Sequence, residues 1–110
     1  MAVVVNNAAD SRCQEFTGLT SGNGQIVGIP SNACDVTCEY IPTAAGTATV
    51  KMSLNPSKPT DFTNFSPSSK GAQTATGAEQ YPGSIRWLGL DPSSGTWTFR
   101  VSYKLNGFGA

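Results

Sequence analysis

The chain contains no histidine, and only 13% of its 110 residues carry charge, seven basic against seven acidic. Without histidine, Ser-His-Asp, Cys-His and histidine-metal chemistry are excluded within this chain. A zero formal net charge disfavours a nucleic-acid role, because binding by counterion release calls for a basic surface. Long apolar runs are also missing. The opening residues MAVVVNNAADSR hold only the short stretch Ala2-Val3-Val4-Val5 before two asparagines. A secretory signal needs an apolar run of about 7–15 residues, and a membrane span about 20. The expectation is therefore no signal peptide, no membrane segment, and synthesis in a cytoplasm or release as a mature fragment. The strong helix formers Leu, Glu, Lys and Arg are few, and no window repeats apolar residues at i, i+3, i+4 and i+7. No long helix is expected.

What is present is turn and strand chemistry: 12 Gly, 12 Ser, 12 Thr, 7 Asn and 7 Pro. The length suits one domain, 1–110. The clearest pattern lies in 96–105, where Trp97, Phe99, Val101, Tyr103 and Leu105 alternate with Thr98, Arg100, Ser102 and Lys104. Strict alternation means a half-buried strand. Residues 84–90 form another candidate strand, with Ile85 and Trp87 on one face. The Asp91-Pro92-Ser93-Ser94-Gly95 link between the two predicts an antiparallel hairpin. Residues 34–41 place Cys34, Val36, Cys38 and Tyr40 inward, and 47–54 place Ala48, Val50, Met52 and Leu54 inward. Their link, 42–46, also suits a hairpin. Residues 25–29 form a shorter strand, and 14–19 and 2–5 are weaker candidates. The fold class is all-β: a single antiparallel β-sandwich or jelly-roll-like domain. Residues 1–12 are a possible N-terminal arm.

Residues 55–83 break the pattern, with four prolines among Ser, Lys, Thr and Gly. Long loops inside compact domains tend to be functional or disordered. Three aromatics, Phe62, Phe65 and Tyr81, argue for partial order in this long interaction loop, with 61–65 packing on the domain or on a neighbour as a short strand and 66–80 as the mobile part.

Three cysteines, Cys13, Cys34 and Cys38, form an odd set. Cys34 and Cys38 stand too far apart along one strand to pair, at roughly 13 Å against the 4.4–6.8 Å a disulfide spans. Two readings remain: reduced thiols packed as small hydrophobes, or a disulfide from Cys13 across the sheets. Three sulfurs without a C-x-x-C pair make a poor metal site. Asp35 and Glu39 share a strand face at roughly 13 Å, beyond the separation of a glycosidase pair. Twelve serines lack a base and a nucleophile elbow. No catalytic, cofactor-binding or metal residue is expected, and the chain is not read as an enzyme. Trp87, Trp97, Tyr40, Tyr81 and Tyr103 are sugar-stacking candidates, although Trp87 and Trp97 lie on apolar faces that core packing explains. The 2–5 strand suits addition to a neighbouring sheet edge, or an ordinary edge of its own domain.

The arrangement of 36–105 resembles small β-sandwich proteins of tailed-phage virions. The likeness runs through 36–41, Gly46-Thr47-Ala48-Thr49-Val50-Lys51-Met52-Ser53-Leu54, Asp61-Phe62-Thr63-Asn64-Phe65, Ile85-Arg86-Trp87-Leu88, Ser93-Ser94-Gly95 and 96–105. The chain departs from the pattern in its longer 55–83 segment and its cysteines. The resemblance implies a capsid decoration (cement) or head-fibre protein seated on a capsid lattice. Its partner would be the major capsid protein. The protein itself would be a homo-oligomer, often a trimer, located in the virion after synthesis in the host cytoplasm. Its expected interface residues are Ala2, Val3, Val4, Val5, Phe62, Phe65 and Tyr81. A tail, neck or fibre component and a carbohydrate-binding or adhesion module are the alternatives.

Overall fold

The computed structural model describes residues 3–8 and 11–105, and among them it contains nine strands and no helix. They are β1 (Val3–Ala8), β2 (Ser11–Leu19), β3 (Gln25–Gly28), β4 (Ala33–Ala44), β5 (Ala48–Ser53), β6 (Ser66–Gln73), β7 (Gly77–Tyr81), β8 (Trp87–Pro92) and β9 (Thr96–Leu105). Two antiparallel sheets result, ordered β1-β2-β9-β4-β7 and β3-β8-β5-β6. The strands pair as β2 with β9, β3 with β8, β4 with β7 and β5 with β6. That is one long antiparallel ribbon rolled into two layers, the winding of a jelly roll. β1 is a ninth strand added outside it.

β9 is the keel of the domain. It pairs with β2 on one side and β4 on the other, so its backbone is satisfied along both edges. Trp97, Phe99, Val101 and Tyr103 all point inward and are buried. Facing them from the second sheet are Val27, Val50, Leu88 and Leu90. Tyr40 of β4 leans on Trp97 with ring centroids 6.4 Å apart. The Trp97 indole N–H donates to the Ser94 carbonyl at 3.0 Å, so its one polar atom is satisfied.

Both expected hairpins turn out to be arches. β8 and β9 lie in different sheets, as do β4 and β5, so 93–95 and 45–47 carry the chain from one layer to the other. The two arches rest on each other, with Ser93 N–H donating to the Thr47 carbonyl at 2.9 Å. Alternation alone does not say which strand a neighbour in sequence will pair with, since hairpin and arch share the same turn residues.

Other departures have local causes. Asp35 has a positive φ of 51°, and the β4–β9 register shifts between Cys34 and Thr37. This bulge changes the phase, burying Ala33 and leaving Cys34 half-buried instead of inward. Pro42 lies near the end of β4, past the last pairing with β7 at Tyr40 and at the register shift with β9 between Pro42 and Ala44, the kind of place where a strand tolerates proline. Leu54, expected inward, lies past the end of β5 and is exposed. Residues 55–83 are not one loop: 66–73 and 77–81 form β6 and β7, and 61–65 is a turn instead of a short strand.

Replacing Trp97 with Ala should cost about 3–5 kcal/mol of unfolding free energy, since it empties the centre of the core. Urea denaturation measures this, and Trp87→Ala, on the outer face, should cost clearly less.

Candidate functional site

The seven expected interface residues fall in three separate places. Ala2 lies outside the described residues. Val3, Val4 and Val5 belong to β1, at one edge of the five-stranded sheet. Tyr81 belongs to β7 at the opposite edge. Phe62 and Phe65 sit over the outer face of the other sheet.

β1 pairs with β2 in register from Val3↔Phe16 to Ala8↔Ser11, and among the described residues no strand pairs with its other side. Its extensive contacts are with β2, because the second sheet has four strands and the first has five. Val3 and Val4 are accordingly 50% and 56% exposed. The remaining three sheet edges carry the features that block strand addition. β3 is four residues long and is followed closely by Pro30. β6 contains Pro67 and a shifted register with β5, and Gly71 has φ of 68°. β7 points Glu79 into the domain, and Lys70 Nζ donates to its Ala78 carbonyl at 2.9 Å. β1 reads VVVNNA, with no charge, proline or glycine. It is the undefended edge.

The β7 edge holds a buried polar cluster. Glu79 lies opposite Cys38 and two residues from Tyr81, so all three share the inner face. Its Oε1 accepts hydrogen bonds from the Ser68 hydroxyl of β6 and from the Tyr81 hydroxyl, the latter at 2.9 Å. Oε2 is buried with no hydrogen-bond partner among the described residues. The Ser68–Glu79 bond therefore ties the two sheets together where their edge strands meet. Burial pushes the Cys38 thiol from an ordinary 9.0 up to about 12, helped by the Glu79 carboxylate. Burial and the bond to Glu79 likewise raise Tyr81. Tyr81, expected at an interface, works inside the domain.

On the outer face of the second sheet, residues 54–65 form a strap between β5 and β6. Trp87 points outward here, not into the core beside Ile85, and its indole N–H holds the Asn55 carbonyl at 2.8 Å. Phe62 drops its ring tip onto Gly24 and Gly89, where a Cβ on Gly89 would stand 2.6 Å from the ring. Phe65 meets Phe62 edge-on at 5.1 Å. Beside the strap, Lys51 Nζ bonds Asp91 Oδ2 at 2.7 Å and lies 5.8 Å from the Phe62 ring centre. Asp61 is held below the usual carboxylate range by the Thr63 backbone N–H and hydroxyl.

Asp35 and Glu39, the carboxylates that share a strand face in the sequence, are separated by a backbone bulge. Asp35 sits exposed at the bulge, while Glu39 and Glu15 flank Arg100 at 2.8 and 2.6 Å across three strands. Among the described residues no group of three His, Cys, Asp or Glu is placed to hold a metal. All three cysteines are free. Cys13 and Cys34 stand on strands either side of β9, roughly 10 Å apart, and Cys38 points to the other face, so the Cys13 disulfide is not formed. The sequence matches no protein-family model and no characterised protein.

Glu79, Ser68 and the Lys51–Asp91 pair are not apparent from sequence. Glu79 falls in a segment whose inward residues are Gly77, Glu79 and Tyr81, which lacks the apolar alternation that marks a strand.

Glu79→Gln keeps the Oε1 acceptor and removes an uncompensated charge, so it should leave stability equal or higher. Glu79→Ala strands two hydroxyls and should cost about 1–3 kcal/mol in chemical denaturation. The raised Cys38 thiol stabilises the fold in full below pH 9.0, and that contribution is lost as pH rises through 9.0 toward about 12. The urea midpoint should fall on moving from about pH 8 to about pH 10.5. Native protein should expose Cys13 to a thiol reagent, with Cys38 reacting only on unfolding.

Proposed function

We propose that this chain is a non-enzymatic structural protein that docks on a protein lattice by strand addition at β1, as a capsid decoration protein of a virion. The observation that carries the reading is the contrast among the four sheet edges. Three bear a proline, an inward charge or a short length that discourages pairing, whereas β1 is uncharged and apolar at its start. Natural proteins blunt edges that must stay alone, so an unblunted one fits a strand that gains a partner. The resemblance of 36–105 to small tailed-phage virion proteins supplies the kind of lattice. The jelly-roll winding adds only an analogy of fold, since that architecture serves virion proteins and lectins alike.

In this reading a strand of the major capsid protein lies along β1 and completes its backbone hydrogen bonds. Val3 and Val4 lose their exposure to water in the same step. Each main-chain bond adds about 0.5–1.5 kcal/mol, which makes a six-residue strand sufficient for a specific contact. The neutral charge balance keeps docking insensitive to salt. Repetition around a symmetric lattice, with the protein itself as a homo-oligomer, multiplies the hold.

Deleting residues 1–7 should weaken binding to shells by about a hundredfold or more while the thermal midpoint of the isolated domain changes little. Val4→Lys, which places a charge on the edge, should act the same way. Co-sedimentation with shells lacking the protein reads both. Full-strength binding by the deleted chain would overturn the proposal.

A further inference from the structure

The strap over the second sheet leaves an open groove beside it, and its chemistry is distinct from that of the β1 edge. The groove has a volume of about 690 Å³, within the ~300–1,000 Å³ of small-molecule sites. One wall is formed by Gly22 and Gly24 with Gln25 and Ile26 beside them. The facing wall is the strap, with Phe62 and the exposed Asp61. Lys51 and Asp91 lie between them, joined at 2.7 Å. Their side chains are only 26% and 30% exposed, so they remain reachable.

This combination selects a class of ligand. An ammonium offers three N–H donors and a carboxylate two acceptor oxygens, so one mutual bond leaves capacity on both. Adjacent hydroxyls on a ring can accept from Lys51 and donate to Asp91 together. Phe62 is the apolar surface against which the C–H face of such a ring packs. Two carboxylates against one ammonium disfavour an anion. The ammonium between them disfavours a dication, and no metal-holding group is formed among the described residues. An apolar ligand would bury the ion pair without replacing its water. We propose that this groove binds a neutral sugar unit, with Lys51 and Asp91 bonding neighbouring hydroxyls and Phe62 packing on the ring.

The test uses the full chain in two ways: on an array of neutral and sialylated glycans, and in an amide NMR titration with glucose, galactose, mannose and N-acetylglucosamine. Retention of neutral glycans is expected, with shifts confined to residues 22–26, 51, 59–63 and 91. Lys51→Met and Asp91→Asn should each weaken binding at least about tenfold, the loss of one hydrogen bond to a charged group. Asp61→Asn keeps the acceptor for the Thr63 N–H, so its fold is safe, and it should weaken binding a few-fold. Deleting residues 1–7 should leave sugar binding unchanged, which separates this site from the docking edge. The proposal is overturned by any of four results: no retained glycan and no monosaccharide shift, shifts elsewhere, preference for sialylated glycans, or undiminished binding by folded Lys51→Met and Asp91→Asn.

Discussion

The packing of β9 between β2 and β4, with Trp97, Phe99, Val101 and Tyr103 pressed on the second sheet, is the constraint from which the rest of the molecule follows. A strand hydrogen-bonded along both edges and buried along one face has a single register in which its side chains fit, because a slip of one residue would turn every aromatic to water. Once β9 is fixed, β2 and β4 are placed by its ladders. The arches at 45–47 and 93–95 then lay β5 and β8 over the same core. What remains outside this logic is β1, attached to β2 at the edge of the five-stranded sheet.

The two ends of the five-stranded sheet show opposite solutions to one problem. At the β7 edge an acidic side chain is drawn inward and held by hydroxyls from both layers, at the cost of a buried carboxylate oxygen without a partner among the described residues. Such an arrangement is disfavoured energetically, and it closes that edge to strand addition. At the β1 edge nothing of the kind is present in the sequence VVVNNA. The contrast between a defended edge and a bare one is what the proposed docking at β1 rests on.

How much was legible in the sequence follows from which residues face inward. β9 is readable because its inward set is Trp, Phe, Val and Tyr against Thr, Arg, Ser and Lys. β4 and β5 are readable for the same reason, apart from the bulge at Asp35, which only a backbone conformation reveals. β6 and β7 are not, since a strand whose inward residues include Ser68, Gly77 and Glu79 looks like a loop. Trp87 misleads in the other direction: its neighbour Ile85 is buried, yet Trp87 faces outward to pin the strap at Asn55. Sheet membership was hidden as well, because an arch and a hairpin use the same prolines and glycines. β1 was legible in part, as an apolar strand candidate at 2–5. The strap and its groove were not, since they depend on Phe62 finding Gly24 and Gly89 across the fold.

The central claim is that β1 is an open edge that closes on a partner. Amide hydrogen exchange tests it most directly, by comparing the isolated protein at low concentration with the same protein seated on a shell. The account predicts that the β1 amides facing away from β2 exchange within the fastest class in the isolated protein and become protected on the shell, while those of β9 are slow in both. Protection of β1 that is already complete in the isolated chain, or exchange at β1 that stays fast on the shell, would contradict it.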